Sequence, residues 1–204
     1  MAKKKYKGGW RLGAFNGFGI LYRDDGIIEY KGDFRNGFYK GKGTINYDTG
    51  DKYYDGIFSE GMKEGKGVSY FKSGDPIFEG YWKKDVPWKG KGLHLNKDLK
   101  VKYDGDWANG AYDGRGTKYY VSFPERVLIA WWKDGRLIRV ELNEKQKSLG
   151  YKSRKIKEEP RVYVGSMRNN KRDGYGTEYD ENGNVRYEGT WVADLQEGYG
   201  VYYY

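Results

Sequence analysis

The sequence predicts an all-β protein: an elongated, twisted, single-layer antiparallel sheet of consecutive β-hairpins. Two features of composition support this. Glycine occurs 32 times in 204 residues, and aromatic residues reach 18% although the whole apolar fraction is only 37%. Glycine supplies the positive φ angles of tight turns, and aromatic residues favour strands. The third and strongest observation is a repeated pattern of glycine and aromatic residues.

One unit recurs along most of the chain. It begins with an aromatic residue, has a glycine two residues and a second aromatic residue four residues after that first one, and ends with Gly-x-Gly. The first five units follow one another at steps of 24, 24, 24 and 25 residues and begin at Tyr6, Tyr30, Tyr54, Phe78 and Tyr103. A degenerate sixth unit has Leu128, Ala130 and Trp132 at the three positions, with no Gly-x-Gly after it. The pattern resumes at Tyr163 and Tyr187.

The period of a β-strand explains the unit. Alternate residues of a strand share a face, so the two aromatic residues and the glycine between them point the same way. The intervening residues, such as Lys31 and Asp33, are mostly polar and suit a solvated face. Asn36-Gly37 and Asn109-Gly110 are typical of hairpin turns, after which Gly-x-Gly returns antiparallel. We expect these glycines to leave room for the rings of neighbouring strands.

These units resemble the MORN repeat, usually written Tyr-x-Gly-x-Trp followed by Gly-x-Gly and a terminal glycine. The resemblance covers residues 6 to 135 and 163 to 204, as seven clear units and the degenerate one. We therefore expect one continuous repeat domain, with units one to six in residues 1–135 and units seven and eight in residues 161–204. The resemblance also implies a groove that accepts an extended or helical segment of a partner.

Residues 136–160 interrupt the repeats. Residues 136–142 alternate polar and apolar side chains, which favours the return strand of the sixth hairpin, and residues 143–149 suit one or two helical turns. The remainder is expected to be a charged excursion from the sheet. Its bases could clamp phosphates or an acidic partner, although a solvated insertion is the favoured interpretation: Lys152, Arg154, Lys155 and Lys157.

Motifs for catalysis or metal binding are missing from the sequence. It contains no cysteine and a single histidine, His94. Its Gly-x-Gly elements lack the Lys-Ser/Thr ending of a phosphate-binding loop. The acids Asp55, Glu79, Asp104 and Glu188 recur at the second place of the unit, whereas a catalytic pair should occur once. We expect a protein that is not an enzyme and has no cofactor.

Two sets of residues are candidates for binding. The first, here called the aromatic face, would line a groove for a partner segment, unless its rings only pack against one another: Tyr30, Phe34, Tyr54, Phe58, Phe78, Trp82, Tyr103 and Trp107. The second, here called the basic column, could bind anions unless cross-strand acids neutralise it: Lys42, Lys66, Lys91 and Arg115.

The function predicted from these features is a scaffold or adaptor that holds a segment of a partner protein. The alternative is a peripheral adaptor for anionic membrane lipids, to which the net charge of +9 would contribute, and nucleic-acid binding ranks third. The apolar segment Val201–Tyr204 predicts a homodimer through terminal strands. Neither a signal peptide nor a membrane span is visible, so we expect a cytoplasmic protein that is at most peripheral at a membrane.

Overall fold

The computed structural model describes residues 5–96, 100–120, 123–156 and 160–204. Its strands form two antiparallel sheets in which the order of strands follows the chain. The first sheet contains β1 Tyr6–Arg11, β2 Ala14–Tyr22, β3 Ile28–Arg35, β4 Phe38–Asn46, β5 Lys52–Ser59, β6 Met62–Tyr70, β7 Pro76–Lys83, β8 Val86–Leu95, β9 Val101–Ala108, β10 Ala111–Tyr120, β11 Phe123–Lys133 and β12 Arg136–Val140. The second contains β13 Lys152–Lys155, β14 Val162–Arg168, β15 Lys171–Tyr179, β16 Val185–Val192 and β17 Leu195–Tyr202. The prediction of an all-β array of antiparallel hairpins is confirmed, although the strands divide between two sheets.

The chain also divides into two compact units. The first unit comprises the described residues up to Leu93 together with Trp107–Gly110, and the second comprises the described residues of His94–Asp106 and Ala111–Tyr204.

Glycine pairs across neighbouring strands explain why the rings fit. Gly32 lies opposite Gly43, and Gly56 lies opposite Gly67. The ring of Tyr30 covers the first pair: a Cβ atom on Gly43 would lie only 2.5 Å from the Tyr30 Cζ atom. The Tyr30 hydroxyl donates a hydrogen bond of 3.0 Å to the carbonyl oxygen of Asp33. The glycines therefore make the room that was expected for them.

The hairpin turns form where the sequence predicts them. Asn36 and Gly37 have φ angles of 51° and 85°, and Asn109 and Gly110 have φ angles of 52° and 77°. Two successive positive φ angles characterise the turn that matches the twist of paired strands.

The fourth hairpin departs from this register. Gly80 of β7 lies opposite Gly90 of β8, the first glycine of its Gly-x-Gly, whereas Gly56 lies opposite Gly67, the second glycine of its own. The hairpin connecting β7 and β8 is also where the repeat is one residue longer. The spacing of 25 residues therefore marks a real change in strand pairing.

The interruption contains more regular structure than the sequence predicts. β12 confirms the expected return strand, and α1 (Glu144–Ser148) confirms the helical turn, with Asn143 as its N-cap. However, Lys152–Lys155 form β13 and pair with β14, although this segment was expected to leave the sheet. The hydroxyl of Ser153 accepts a hydrogen bond of 3.0 Å from the Val140 amide, and charged side chains suit a strand at the edge of a sheet.

A turn of the second sheet contacts the degenerate sixth hairpin within the second unit. Gly183 lies so close to the Trp132 ring that an added Cβ atom would come within 2.7 Å of it. The Leu137 amide donates a hydrogen bond of 2.6 Å to the carbonyl oxygen of Glu181. Leu128, Ala130 and Trp132 are all buried. In the sixth unit, a packed apolar surface therefore stands where the other units have a tyrosine ring lying over glycines.

Candidate functional site

Most of the aromatic face is buried. In the first unit, its side chains are at most 6% exposed, except for the half-buried Trp107: Tyr30, Phe34, Tyr54, Phe58, Phe78 and Trp82. In the second unit, Tyr103 is also buried. The rings of the first unit meet edge to face in a continuous row, with centroid distances of 5.4 Å for Tyr30–Phe58 and 5.3 Å for Tyr54–Trp82. Six of the eight residues form the core of the first unit and Tyr103 is buried in the second, while the role of the aromatic face in partner binding stays a prediction.

A second layer of side chains covers these rings, and sequence reasoning missed it. Tyr39 stacks on Tyr30 with a centroid distance of 3.8 Å, and Phe15 stacks on Tyr6 at 3.9 Å. In the second unit, Tyr112 stacks on Tyr103 at 3.7 Å. Each covering residue comes two residues after the glycine of a hairpin turn. The recurrence of an aromatic residue at this position in the sequence could have indicated the covering layer.

Cations take the covering position in two hairpins. In the first unit, the Lys63 ammonium lies 4.4 Å from the centroid of the Tyr53 ring and 4.8 Å from that of Trp82. It donates a hydrogen bond of 3.0 Å to the Tyr53 hydroxyl. In the second unit, the Arg172 guanidinium lies 4.1 Å from the Trp191 ring. A desolvated cation over aromatic rings is attracted by their negative faces, so it can replace a stacked ring.

Half-buried apolar side chains form the accessible surface over the core of the first unit. Phe15, Tyr39, Tyr53, Ile77 and Trp107 all pack against the buried cluster and remain partly exposed. The Tyr39 hydroxyl also donates a hydrogen bond of 3.3 Å to the carboxylate of Glu29. We call these five side chains the covering surface. Any partner that approaches the ring side of the first unit meets this surface before the rings below it.

The basic column lies on the exposed face of the strands, and its neighbours differ. In the first unit, Lys42 lies opposite Ile57, Lys66 lies opposite Tyr81, and Lys91 lies opposite Glu79. Cross-strand acids therefore do not oppose Lys42 or Lys66.

In the second unit, Arg115 lies opposite Trp131 and forms an ion pair of 2.8 Å with Glu141. This pairing raises the pKa of Arg115 and lowers that of Glu141, because a hydrogen bond joins the two charges. Arg115 is therefore a weaker candidate for binding an external anion.

The three described candidate bases of the interruption lie on one strand of the second sheet. Lys152, Arg154 and Lys155 lie on the four-residue strand β13, where neighbouring side chains point to opposite faces. Arg154 donates hydrogen bonds to the backbone and side-chain oxygens of Asn170, at 2.7 and 2.9 Å. Lys157 lies outside the described residues.

The single histidine and the acids of the described residues do not form a metal site. His94 interacts with the hydroxyl of Tyr112, and burial lowers its pKa, with a further contribution from the charge of Lys102. Among the described residues, His, Asp and Glu nowhere gather in a group of three or more that could hold a metal ion. No helix in the described ranges is long and apolar enough to cross a membrane.

Comparison with known families agrees with the repeated hairpins. A search of curated proteins returned no match. The family model for the MORN repeat matches six segments that together span more than half of the chain: residues 6–27, 30–52, 54–75, 103–122, 163–185 and 187–204. The fourth unit, with its altered register, and the degenerate sixth unit lie outside these segments. MORN repeats are generally non-catalytic scaffolds and commonly take part in protein or membrane interactions. This chain belongs to the MORN-repeat family.

Proposed function

We propose that this protein is a non-catalytic scaffold that binds a segment of a partner protein over the aromatic face of the first unit. The observation that carries the proposal is the covering surface, where half-buried rings lie on a rigid floor of buried rings. Tyrosine and tryptophan provide large contact areas with little loss of side-chain entropy, so they dominate binding hot spots. In this proposal the buried rings of the aromatic face lie beneath the covering surface and hold its side chains in place for the partner.

Trp107 and Tyr53 are the residues to test, because each belongs to the covering surface and is partly exposed. Trp107→Ala and Tyr53→Ala should each abolish capture of the same partner in a pull-down read by mass spectrometry. Tyr81→Ala is the matched control, since Tyr81 is 53% exposed and lies opposite Lys66 on the other face of the strands. A partner lost equally with all three variants, or with none, would contradict the proposal. Circular dichroism would verify that each variant is folded.

Binding to anionic lipids is the second candidate, and one feature of the first unit favours it. Lys42 and Lys66 are exposed and lie opposite Ile57 and Tyr81, whose own side chains are 38% and 53% exposed. Lysine beside exposed apolar groups suits a membrane surface, where the charge meets lipid phosphates and the apolar groups enter the interface. This proposal places the protein in the cytoplasm, in peripheral contact with a membrane.

Sedimentation with phosphatidylserine vesicles tests the lipid proposal. The Lys42→Glu/Lys66→Glu variant should lose salt-sensitive binding. A Lys52→Glu/Lys72→Glu variant should keep it, since these lysines pair with Asp55 and Asp48 at 2.9 and 2.7 Å. Equal loss from both variants would indicate only a response to net charge. Binding of unrelated oligonucleotides, with no binding to vesicles, would favour the nucleic-acid alternative.

Pairing of two chains through terminal strands is proposed on the basis of β17. This strand is the last in the order of the second sheet, and every one of its residues is exposed. An exposed strand edge offers unpaired backbone groups to another strand. Light scattering after size-exclusion chromatography should show a dimer that is lost on deleting Val201–Tyr204; a monomer with and without this segment would refute the pairing.

A further inference from the structure

A cavity in the second unit gathers basic side chains. Its volume is about 530 Å³, which lies within the range of small-molecule sites, roughly 300–1,000 Å³. Lys102, Lys118 and Arg126 line it, and the rings of Tyr120 and its neighbours supply apolar walls. None of these bases belongs to the basic column or to the interruption.

Lys118 is held in place by uncharged groups. Its ammonium donates hydrogen bonds of 2.8 Å to the Asn182 carbonyl and 2.6 Å to the Asn184 side-chain oxygen. An ammonium has three donors, so two acceptors leave one N–H available. Burial lowers the pKa of Lys118; Asp180 acts in the opposite direction, and Lys102 lowers the pKa further. Lys102 and Lys118 line the same cavity.

Two described acids near the cavity, Asp180 and Glu188, have partners of their own. The Asp180 carboxylate accepts hydrogen bonds from the Asn182 amide at 2.9 Å and from the Asn184 amide at 2.7 Å. Glu188 pairs with Arg126 at 3.2 Å. Among the described residues that line the cavity, none has a carboxylate side chain. Lys102 and Lys118 therefore bring positive charge to the cavity, and Asp180, whose charge partly offsets that of Lys118, is not among the described residues of its lining.

We propose that this cavity binds a phosphate monoester between Lys102 and Lys118. A monoester carries a charge of about −1.5 to −2 at pH 7, which matches two lysines, and its oxygens accept charge-assisted hydrogen bonds. The tyrosine rings of the walls would contact the organic part of the ligand. The ligand could be soluble or the headgroup of a lipid, and both carry the same chemistry.

Calorimetric titration of the full chain with adenosine 5′-monophosphate tests the soluble source, with adenosine as the uncharged control. Vesicles of phosphatidylcholine, with and without phosphatidic acid, test the lipid source. Saturable binding of at least one phosphate probe, with no binding of adenosine or of pure phosphatidylcholine, is expected. Failure of both phosphate probes to bind overturns the proposal.

Matched variants test the location. Lys118→Gln removes one charge and should weaken binding at least tenfold, while Lys145→Gln makes the same change on the exposed helix α1 and should alter affinity less than twofold. Lys102→Gln provides a second test, because Lys102 is exposed and its replacement should leave the fold intact. Unchanged binding with both cavity variants, or equal weakening with Lys145→Gln, overturns the assignment.

Discussion

Replacing Gly43 with alanine should destabilise the first unit strongly, because the new Cβ atom would lie 2.5 Å from Tyr30 Cζ and 2.6 Å from Cε2. Carbon atoms in contact lie roughly 3.5–4.0 Å apart, so the ring must move by about 1 Å. Tyr39 stacks on the Tyr30 ring at 3.8 Å, and Phe34 and Phe58 meet it at 5.0 and 5.4 Å. The ring therefore cannot shift without disturbing its neighbours. Overpacking of this kind costs about 3 kcal/mol of unfolding free energy.

Two further variants separate the clash from other effects of alanine. Gly26→Ala introduces a residue at a φ of 92° with nothing within 4 Å of the new Cβ atom, so it should cost only the backbone strain, about 1–2 kcal/mol. Tyr30→Leu removes the ring that causes the clash. The sixth unit shows a related arrangement: Leu128 replaces the tyrosine, and Val140 lies opposite Ala130 as Gly43 lies opposite Gly32.

A double-mutant cycle in urea, followed by circular dichroism, measures the coupling. In the Tyr30→Leu background, Gly43→Ala should cost about 2 kcal/mol less than it does alone, which is within the range seen for residues in contact. The reasoning would be refuted if the two changes were additive within about 0.5 kcal/mol. It would also fail if Gly43→Ala cost no more than Gly26→Ala.

Three further predictions concern charge and ionisation. Glu178→Gln should cost about 3 kcal/mol of unfolding free energy, because the buried Glu178 pairs with Arg161 and Arg172 at 3.0 and 2.8 Å. Glu181→Gln, at a half-exposed carboxylate, should cost under about 1 kcal/mol in the same urea titration. Lys63→Ala should cost about 2 kcal/mol of unfolding free energy, because the contacts of the ammonium with the rings are lost. Lys63→Tyr should keep near wild-type stability in thermal unfolding. Equal losses from both variants would show that the covering position does not matter. Burial raises the pKa of Tyr39 to about 12. The contribution of the buried, neutral Tyr39 to stability should therefore be complete below about pH 10, where the tyrosine of the unfolded chain begins to ionise, and should be lost as the pH rises towards about 12. Absorbance of tyrosinate at each pH, compared with Tyr39→Phe, checks the last prediction, and a Tyr39 that ionises near pH 10 in the folded protein would contradict it.

The candidate site was only partly predictable. The rings of the aromatic face were named correctly as one face of the strands, because strand periodicity determines which residues share a side. Packing of the rings against one another was the alternative to an open groove, and the sequence did not decide between the two, because burial depends on Tyr39, Lys63 and their equivalents folding over the rings. A period of two cannot reveal that the residue after the turn lies over a ring of the same hairpin. The lysines of the cavity were missed because Lys118 is far from Asn182 in sequence and bonds to it only in the fold, where Lys102 lines the same cavity.

Sequence alone determined the hairpin and its repetition, since these depend on local chemistry: glycine allows positive φ angles at the turns and leaves space beneath Tyr30, and alternation places the rings on one side. Tertiary structure alone decided where the regular pairing changes. Gly80 pairs with Gly90 rather than with Gly92, and β13 begins a second sheet after Ala130 and Leu128 have replaced glycine and tyrosine. Register and sheet boundaries depend on the sum of many cross-strand contacts, which no single segment of the chain contains.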